Sequence, residues 1–201
     1  MYLWYVSPSF SIAANGLWRL YYLGRYDQGI AESQKLLELH PNYLLNYWSR
    51  GFLYAAKGMF AEAIAEHQKA VALSEGSLEC LPDLGFAYAR AGRTAEALKV
   101  LDRLREESKK RYVRSSLFAT IYVGLGETDL AFASMERAYQ EHDGFLAWLW
   151  IDPLFKPLRS DPRFQDLARR MKLPGLLIRS RRRHAARPFG AWPDGRSFPA
   201  S

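Results

Sequence analysis

Four glycines recur at a constant spacing of 34 residues, at Gly24, Gly58, Gly92 and Gly126. Each one precedes a segment in which apolar residues stand at helical spacing. A fixed period of this length is typical of equal helical units that bury their apolar faces against one another. The spacing therefore predicts four stacked units. In each unit the glycine ends the first helix, because glycine accepts a left-handed backbone conformation.

Three further columns of residues keep the same register. Four residues before the glycines stand Leu20, Tyr54, Tyr88 and Tyr122, which we expect to fill the wedge between neighbouring units. Five residues after the glycines stand Gly29, Ala63, Ala97 and Ala131, and seven residues before them stand Leu17, Gly51, Gly85 and Ala119. Antiparallel helices approach closely only where side chains are small. We therefore expect Gly51 to meet Ala63, and Gly85 to meet Ala97, within their own units.

The repeat length and two short motifs point to a known family. The motifs are Leu-Gly-Arg-Tyr at 23–26 and Ala-Glu-Ala-Ile at 61–64. On these features residues 10–143 resemble four tetratricopeptide repeats, with units at 10–43, 44–77, 78–111 and 112–143. The resemblance implies an all-α, right-handed α-solenoid of helix-turn-helix units that serves as a binding scaffold.

A second segment carries a narrower resemblance. Residues 152–167 are similar to the closing segment of tetratricopeptide regions at the C-termini of bacterial signalling proteins, among them winged-helix regulators, serine/threonine kinases and adenylate cyclases. Asp161 and Pro162 predict an N-cap and a first-turn proline for a capping helix through about Met171. We expect residues 144–174 to cap the fourth repeat. The resemblance implies an interaction region detached from any effector domain, because only the short segment 1–9 precedes the repeats.

The positive charge of the chain is concentrated at one end. Residues 175–201 hold six arginines and one acidic residue, whereas residues 1–174 hold 22 basic and 20 acidic residues. The end segment lacks helical or strand periodicity and is predicted to be a disordered basic tail. One hypothesis is that its arginines bind nucleic acid or another acidic surface, through Arg179, Arg181, Arg182 and Arg183. The alternative is an extension without a role of its own.

The first helices of the repeats are expected to line a concave groove that binds a peptide or a helix of another protein. Helical spacing predicts these groove residues: Trp18, Tyr21, Tyr22, Trp48, Phe52, Asp83, Phe86, Arg90 and Thr120. The aromatic members would form a strip suited to apolar anchors of a ligand. The alternative is that they are ordinary core residues, since solenoid helices bury two faces. Arg90 is the single cation of the set, which disfavours a ligand that ends in a carboxylate.

No pattern in the sequence predicts an enzyme, a cofactor or a metal site. The four histidines are scattered and form no metal-binding pair with one another or with the single cysteine, Cys80. His67 stands in a column that is normally apolar, so we expect it to be a packed, neutral imidazole. The chain also lacks a phosphate-binding glycine loop and a nucleophile elbow.

The remaining features bear on location and assembly. With 49% hydrophobic residues the chain can bury a core. Its longest apolar run, from Phe145 to Ile151, is too short to span a membrane, and the N-terminus does not resemble a secretory leader. These features predict a cytoplasmic protein, and the resemblance to tetratricopeptide repeats implies a protein or peptide as its partner. Self-association through the ends of the solenoid is an open alternative.

Overall fold

A computed structural model of the protein describes residues 16–173. The regular secondary structure of this part of the chain is helical, and residues 16–173 contain no β-strand. Its α-helices are 16–22 (α1), Tyr26–Leu39 (α2), Leu44–Ala56 (α3), Phe60–Leu73 (α4), Leu81–Arg90 (α5), Thr94–Ser108 (α6), Ser115–Leu125 (α7), Thr128–Gln140 (α8), Leu146–Ile151 (α9) and Pro162–Arg170 (α10). Two short 3-10 helices, Leu78–Cys80 and Pro153–Leu158, precede α5 and follow α9.

The first eight α-helices form four hairpins, and the spaced glycines lie in their turns. The backbone φ angles of Gly24, Gly58, Gly92 and Gly126 are 71°, 78°, 77° and 78°. All four lie in the left-handed region that favours glycine, so the prediction from the spacing is confirmed. In each turn the residue after the glycine donates its backbone N–H to the carbonyl four residues before the glycine, as Met59 does to Tyr54 at 3.0 Å. This bond satisfies a carbonyl at the end of the first helix.

The columns of small residues allow the helices to approach one another closely. A methyl group added at Gly51 would lie 2.5 Å from Cε1 of His67, so the buried imidazole of α4 fills the space beside α3. The closest contact of Gly85 is not with Ala97 of its own hairpin, as the sequence predicts. Its nearest neighbour is Ile121 at 2.9 Å, on α7 of the next hairpin. The close approach at Gly85 thus serves contact between repeats, because α5 packs against α7 as well as against α6.

The predicted C-terminal capping helix, α10, packs against the last hairpin. The carboxylate of Asp161 accepts a hydrogen bond from the backbone N–H of Arg163 at 2.9 Å and begins α10. Phe164 of α10 is buried and stacks on Trp150 with a centroid distance of 4.4 Å. Arg163 lies 4.2 Å above the ring of Phe132 on α8. The helix α10 therefore covers the apolar face that the last hairpin would otherwise expose.

The remainder of the cap takes a path that the sequence did not predict. We use the name inner cap segment for helix α9 together with the 3-10 helix Pro153–Leu158. This segment crosses the concave side of the solenoid. The hydroxyl of Tyr21 on α1 donates a 2.6 Å hydrogen bond to Oδ1 of Asp152. Leu154 and Pro157 border a cavity together with Ala55 of α3 and Phe86 of α5. The chain thus folds back from the fourth repeat to the first.

Candidate peptide-binding site

The predicted groove residues stand on the first helices of the four hairpins. Helix α1 carries Trp18, Tyr21 and Tyr22, α3 carries Trp48 and Phe52, α5 carries Asp83, Phe86 and Arg90, and α7 carries Thr120. Within each helix these residues are three or four positions apart, or directly adjacent at the edge of the same face. This spacing brings them to one side of the helix.

The structure divides these residues into a buried set and an accessible set. The buried set retains less than a tenth of its accessible surface and consists of Tyr21, Phe52, Asp83, Phe86 and Thr120. The accessible set consists of half-buried Trp18 and Trp48 and exposed Tyr22 and Arg90. Tyr21 is bonded to Asp152 beside the inner cap segment, whereas Asp83 is bonded to Trp48 and Thr120 to Ser116 within the array of hairpins.

An apolar cavity of about 300 Å³ remains where the inner cap segment meets the first two repeats. We call it the aromatic pocket, and it is lined by Trp18, Tyr22, Trp48, Phe52, Phe145, Trp148, Leu149 and Asp152. One side comes from α1 and α3. The other side comes from the residues around α9. Trp148 is 54% exposed and Tyr22 is 36% exposed, so aromatic surface at the pocket is open to solvent.

The aromatic rings of α1 and α3 form one continuous cluster. The centroid of Trp18 lies 4.9 Å from that of Phe52, 6.0 Å from that of Trp48 and 6.2 Å from that of Tyr22. Trp18 and Trp48 meet edge to face, whereas Trp18 and Tyr22 are stacked. Such contacts hold the rings in defined orientations, and they stabilise the aromatic cluster beyond the effect of burial alone.

The buried carboxyl group of Asp83 on α5 orients the ring of Trp48 through a hydrogen bond. The indole Nε1 of Trp48 donates a 2.7 Å hydrogen bond to Oδ2 of Asp83. Burial raises the pKa of Asp83 to about 8, the Trp48 hydrogen bond opposes that rise, and the charge of Asp152 adds to it. Burial also raises the pKa of Asp152, whereas hydrogen bonds from Tyr21 and from the backbone of Leu154 lower it. Two carboxyl groups thus lie close to the aromatic pocket.

Arg90 and Thr120 do not reach the aromatic pocket. The guanidinium of Arg90 lies 5.6 Å from the ring centroid of Phe60, at a separate cavity. The hydroxyl of Thr120 donates a 3.3 Å hydrogen bond to the carbonyl of Ser116 within α7. Neither side chain is therefore close to the rings of α1 and α3.

Four pocket residues were missed from the sequence, namely Phe145, Trp148, Leu149 and Asp152. Three of them belong to the apolar run from Phe145 to Ile151, which is the sequence signal that could have identified them. Repeat periodicity could not identify them, because they follow the last repeat. In the described part of the chain no helix is long and apolar enough to cross a membrane.

The other candidate residues are accounted for separately. His67 is 1% exposed, and burial lowers its pKa to about 3, so it is a packed neutral imidazole as expected. Between residues 16 and 173 no cluster of His, Cys, Asp or Glu could hold a metal ion. The tail residues Arg179, Arg181, Arg182 and Arg183 lie outside the described residues.

Tandem helical hairpins with a capped end define the class of the protein as an α-solenoid. Comparison with known families agrees, since residues 54–117 match the model of the tetratricopeptide repeat. The matched region runs from the second half of α3 into α7 and supports a tetratricopeptide repeat protein. No curated protein matches the sequence. Tetratricopeptide repeats generally mediate protein–protein interaction, and the proteins that contain them are generally scaffolds without enzymatic activity.

Proposed function

We propose that this protein is a scaffold that binds a peptide or a helix of a protein partner on its concave side, at the aromatic pocket. The observation that carries this proposal is the apolar cavity of about 300 Å³ beside half-buried and exposed aromatic side chains. Large aromatic residues around a pocket are typical anchors of protein interfaces. A cavity of this size accommodates one or two side chains of a ligand.

The inner cap segment limits the site to the pocket. A ligand running the full length of the groove would have to displace α9 and break the hydrogen bond between Tyr21 and Asp152. It would also expose buried side chains such as Phe155. A ligand at the aromatic pocket would need neither change, since Tyr22 and Trp148 already border open solvent.

The biological setting that we propose is bacterial regulation or signalling. Its support is the resemblance of residues 152–167 to the closing segment of tetratricopeptide regions in such proteins. In the present structure this segment includes Asp152, which lines the aromatic pocket, and Asp161, which begins α10. The segment therefore contributes to the proposed binding site as well as to the cap.

The proposal is tested by selecting binders from a random peptide display library against the full chain. Selected peptides are then measured against Trp148→Ala and Tyr22→Ala, which alter the exposed edge of the pocket. Leu98→Ala serves as the matched control, because Leu98 is 44% exposed on α6, away from the concave side. We expect at least a tenfold loss of affinity for the two pocket variants and no change for the control. Peptides that bind all variants equally would exclude the pocket.

One further variant distinguishes peptide binding at the aromatic pocket from nucleic-acid binding through the tail. This variant removes the local positive charge by changing four arginines together to Gln, namely Arg179, Arg181, Arg182 and Arg183. If the pocket is the site, the selected peptides bind this variant as they bind the original chain. Binding of nucleic acid that weakens steeply with salt and vanishes in this variant would favour the tail instead.

A further inference from the structure

We propose that the aromatic pocket receives the guanidinium group of an arginine side chain from the protein partner. The inference rests on the proposed function and adds the chemistry of the group that is recognised. Its basis is the combination of aromatic walls with a carboxylate that retains an unused acceptor atom.

The walls of the pocket suit a flat cation. Trp18, Tyr22 and Trp48 present aromatic rings on one side, and Phe145 and Trp148 contribute rings on the other. A cation close to an aromatic face is attracted by the ring quadrupole, and the attraction strengthens when water is excluded. Guanidinium groups in particular stack on aromatic rings, because they are planar and weakly hydrated.

The carboxylate of Asp152 provides the matching acceptor. Its Oδ1 atom accepts hydrogen bonds from the hydroxyl of Tyr21 at 2.6 Å and from the backbone N–H of Leu154 at 2.8 Å. No residue in the range 16–173 donates a hydrogen bond to Oδ2. The guanidinium of Arg159 donates instead to the backbone carbonyl of Asp152, at 2.9 Å. Oδ2 therefore has no donor among these residues, and Asp152 lines the pocket, so a donor that enters there could bind this atom.

The local charge favours a cation over other groups. Asp152 lines the pocket, and no Lys or Arg of residues 16–173 does. The guanidinium of Arg159, whose charge lowers the pKa of Asp152, is held by the backbone carbonyl of Asp152 outside the lining. Burial raises the pKa of the Asp152 carboxyl group, and an entering cation would offset that desolvation. A ligand carboxylate would be repelled. An apolar side chain would fill the space but would leave Oδ2 of Asp152 without a partner.

The test measures binding of small probes to the full chain, followed by NMR of the tryptophan indole N–H signals. The probes are N-acetyl-arginine amide, N-acetyl-citrulline amide, which has the same shape without the charge, and N-acetyl-leucine amide. We expect the arginine probe to shift the signals of Trp18, Trp48 and Trp148 with a dissociation constant in the millimolar range. The citrulline probe should bind at least tenfold more weakly.

Two variants keep the proposal falsifiable. Asp152→Asn removes the charge but keeps an oxygen for Tyr21 and Leu154, so the fold should persist by circular dichroism. It should weaken binding of the arginine probe at least fivefold and leave the citrulline probe unchanged. Trp148→Leu removes a ring that is 54% exposed and should also weaken arginine binding. Equal binding of arginine and citrulline, or no effect of Asp152→Asn, would overturn the inference.

The outcomes for the two proposals are distinguishable. Binding of the leucine probe without preference for arginine would overturn the inference and leave the peptide site standing. Failure of both the probes and the selected peptides to respond to pocket variants would remove both proposals. The arginine probe is also measured against the variant in which Arg179, Arg181, Arg182 and Arg183 are changed to Gln. Tighter binding to this variant would overturn the proposal that the arginine in the pocket comes from a partner. The tail of the chain would then be the occupant of the pocket.

Discussion

The hydroxyl of Tyr21 donates a 2.6 Å hydrogen bond to Oδ1 of Asp152, joining the first repeat to the cap across 131 positions of the sequence. Most contacts in a solenoid link neighbouring repeats. This bond instead ties the beginning of the described array to the segment that follows its end. It holds the inner cap segment on the concave side and places Asp152 at the aromatic pocket.

Replacing Tyr21 with Phe should weaken this tie. The ring would still fill its buried site, but Asp152 would lose one of its two hydrogen-bond donors. We expect the free energy of unfolding, measured by urea denaturation, to fall by about 1–2 kcal/mol. Tyr112→Phe is the matched control, since the Tyr112 hydroxyl contacts Glu141 on the exposed surface. A Tyr21→Phe effect no larger than that of the control would argue against a stabilising role for the bond.

Two aromatic residues of the pocket should differ sharply in their contribution to stability. Phe52 is 5% exposed, so Phe52→Ala should cost about 3–5 kcal/mol through lost burial and a cavity. Trp148 is 54% exposed, and Trp148→Ala should cost less than about 1 kcal/mol. Urea denaturation followed by circular dichroism measures both. Similar costs would contradict the division into a buried and an accessible set.

Asp83 should make the protein less stable as the pH rises. Burial raises its pKa to about 8, whereas in the unfolded chain the group has the ordinary value of about 3.9. The folded state therefore holds a proton that the unfolded state releases, and the contribution of Asp83 falls between about pH 4 and pH 8. The slope approaches about 1.4 kcal/mol per pH unit.

Asp83→Asn should remove this slope while retaining an oxygen for the indole of Trp48. Chemical denaturation at a series of pH values gives the difference between the variant and the original chain. Asp102→Asn, at an exposed position on α6, is the control. A difference that does not change with pH would show that Asp83 is ionised in the folded protein.

His67 should produce the opposite dependence at lower pH. Burial lowers its pKa to about 3, so the folded state keeps the imidazole neutral while the unfolded state takes up a proton near pH 6.5. Its contribution to stability is complete above pH 6.5 and is lost as the pH falls towards 3. His67→Met should reduce the loss of stability between pH 6 and pH 4. An unchanged acid profile in this variant would assign that loss to other groups.

Gly51→Ala should be destabilising although alanine favours helices over glycine. Substitution of glycine by alanine in a helix gains about 1 kcal/mol, but the new methyl group would lie 2.5 Å from the ring of the buried His67. We expect a net loss of about 1–3 kcal/mol in thermal or urea denaturation. Gly16→Ala, where no atom of residues 16–173 lies within 4 Å of the added methyl group, is the control and should be neutral or stabilising.

Features that depend on neighbouring residues could be predicted from the sequence. The four turn glycines adopt the expected left-handed conformation, because that requirement is set by the few residues around each turn. The capping helix begins at Pro162 with Asp161 as its N-cap, since an aspartate followed by proline favours the start of a helix. Gly85 was placed correctly in its column, but its closest partner proved to be Ile121 of the next repeat.

The sequence by itself determined the repeat unit, its turns, its small-residue columns and the capping helix, because local backbone preferences and the 34-residue period specify them. Only the tertiary structure decided which aromatic residues of the concave side are buried and which remain accessible. That division depends in part on a segment beyond the repeats folding back onto α1 and α3, as the bond between Tyr21 and Asp152 shows. Contacts between residues so distant in sequence arise from packing of the whole chain and leave no periodic trace in its residues.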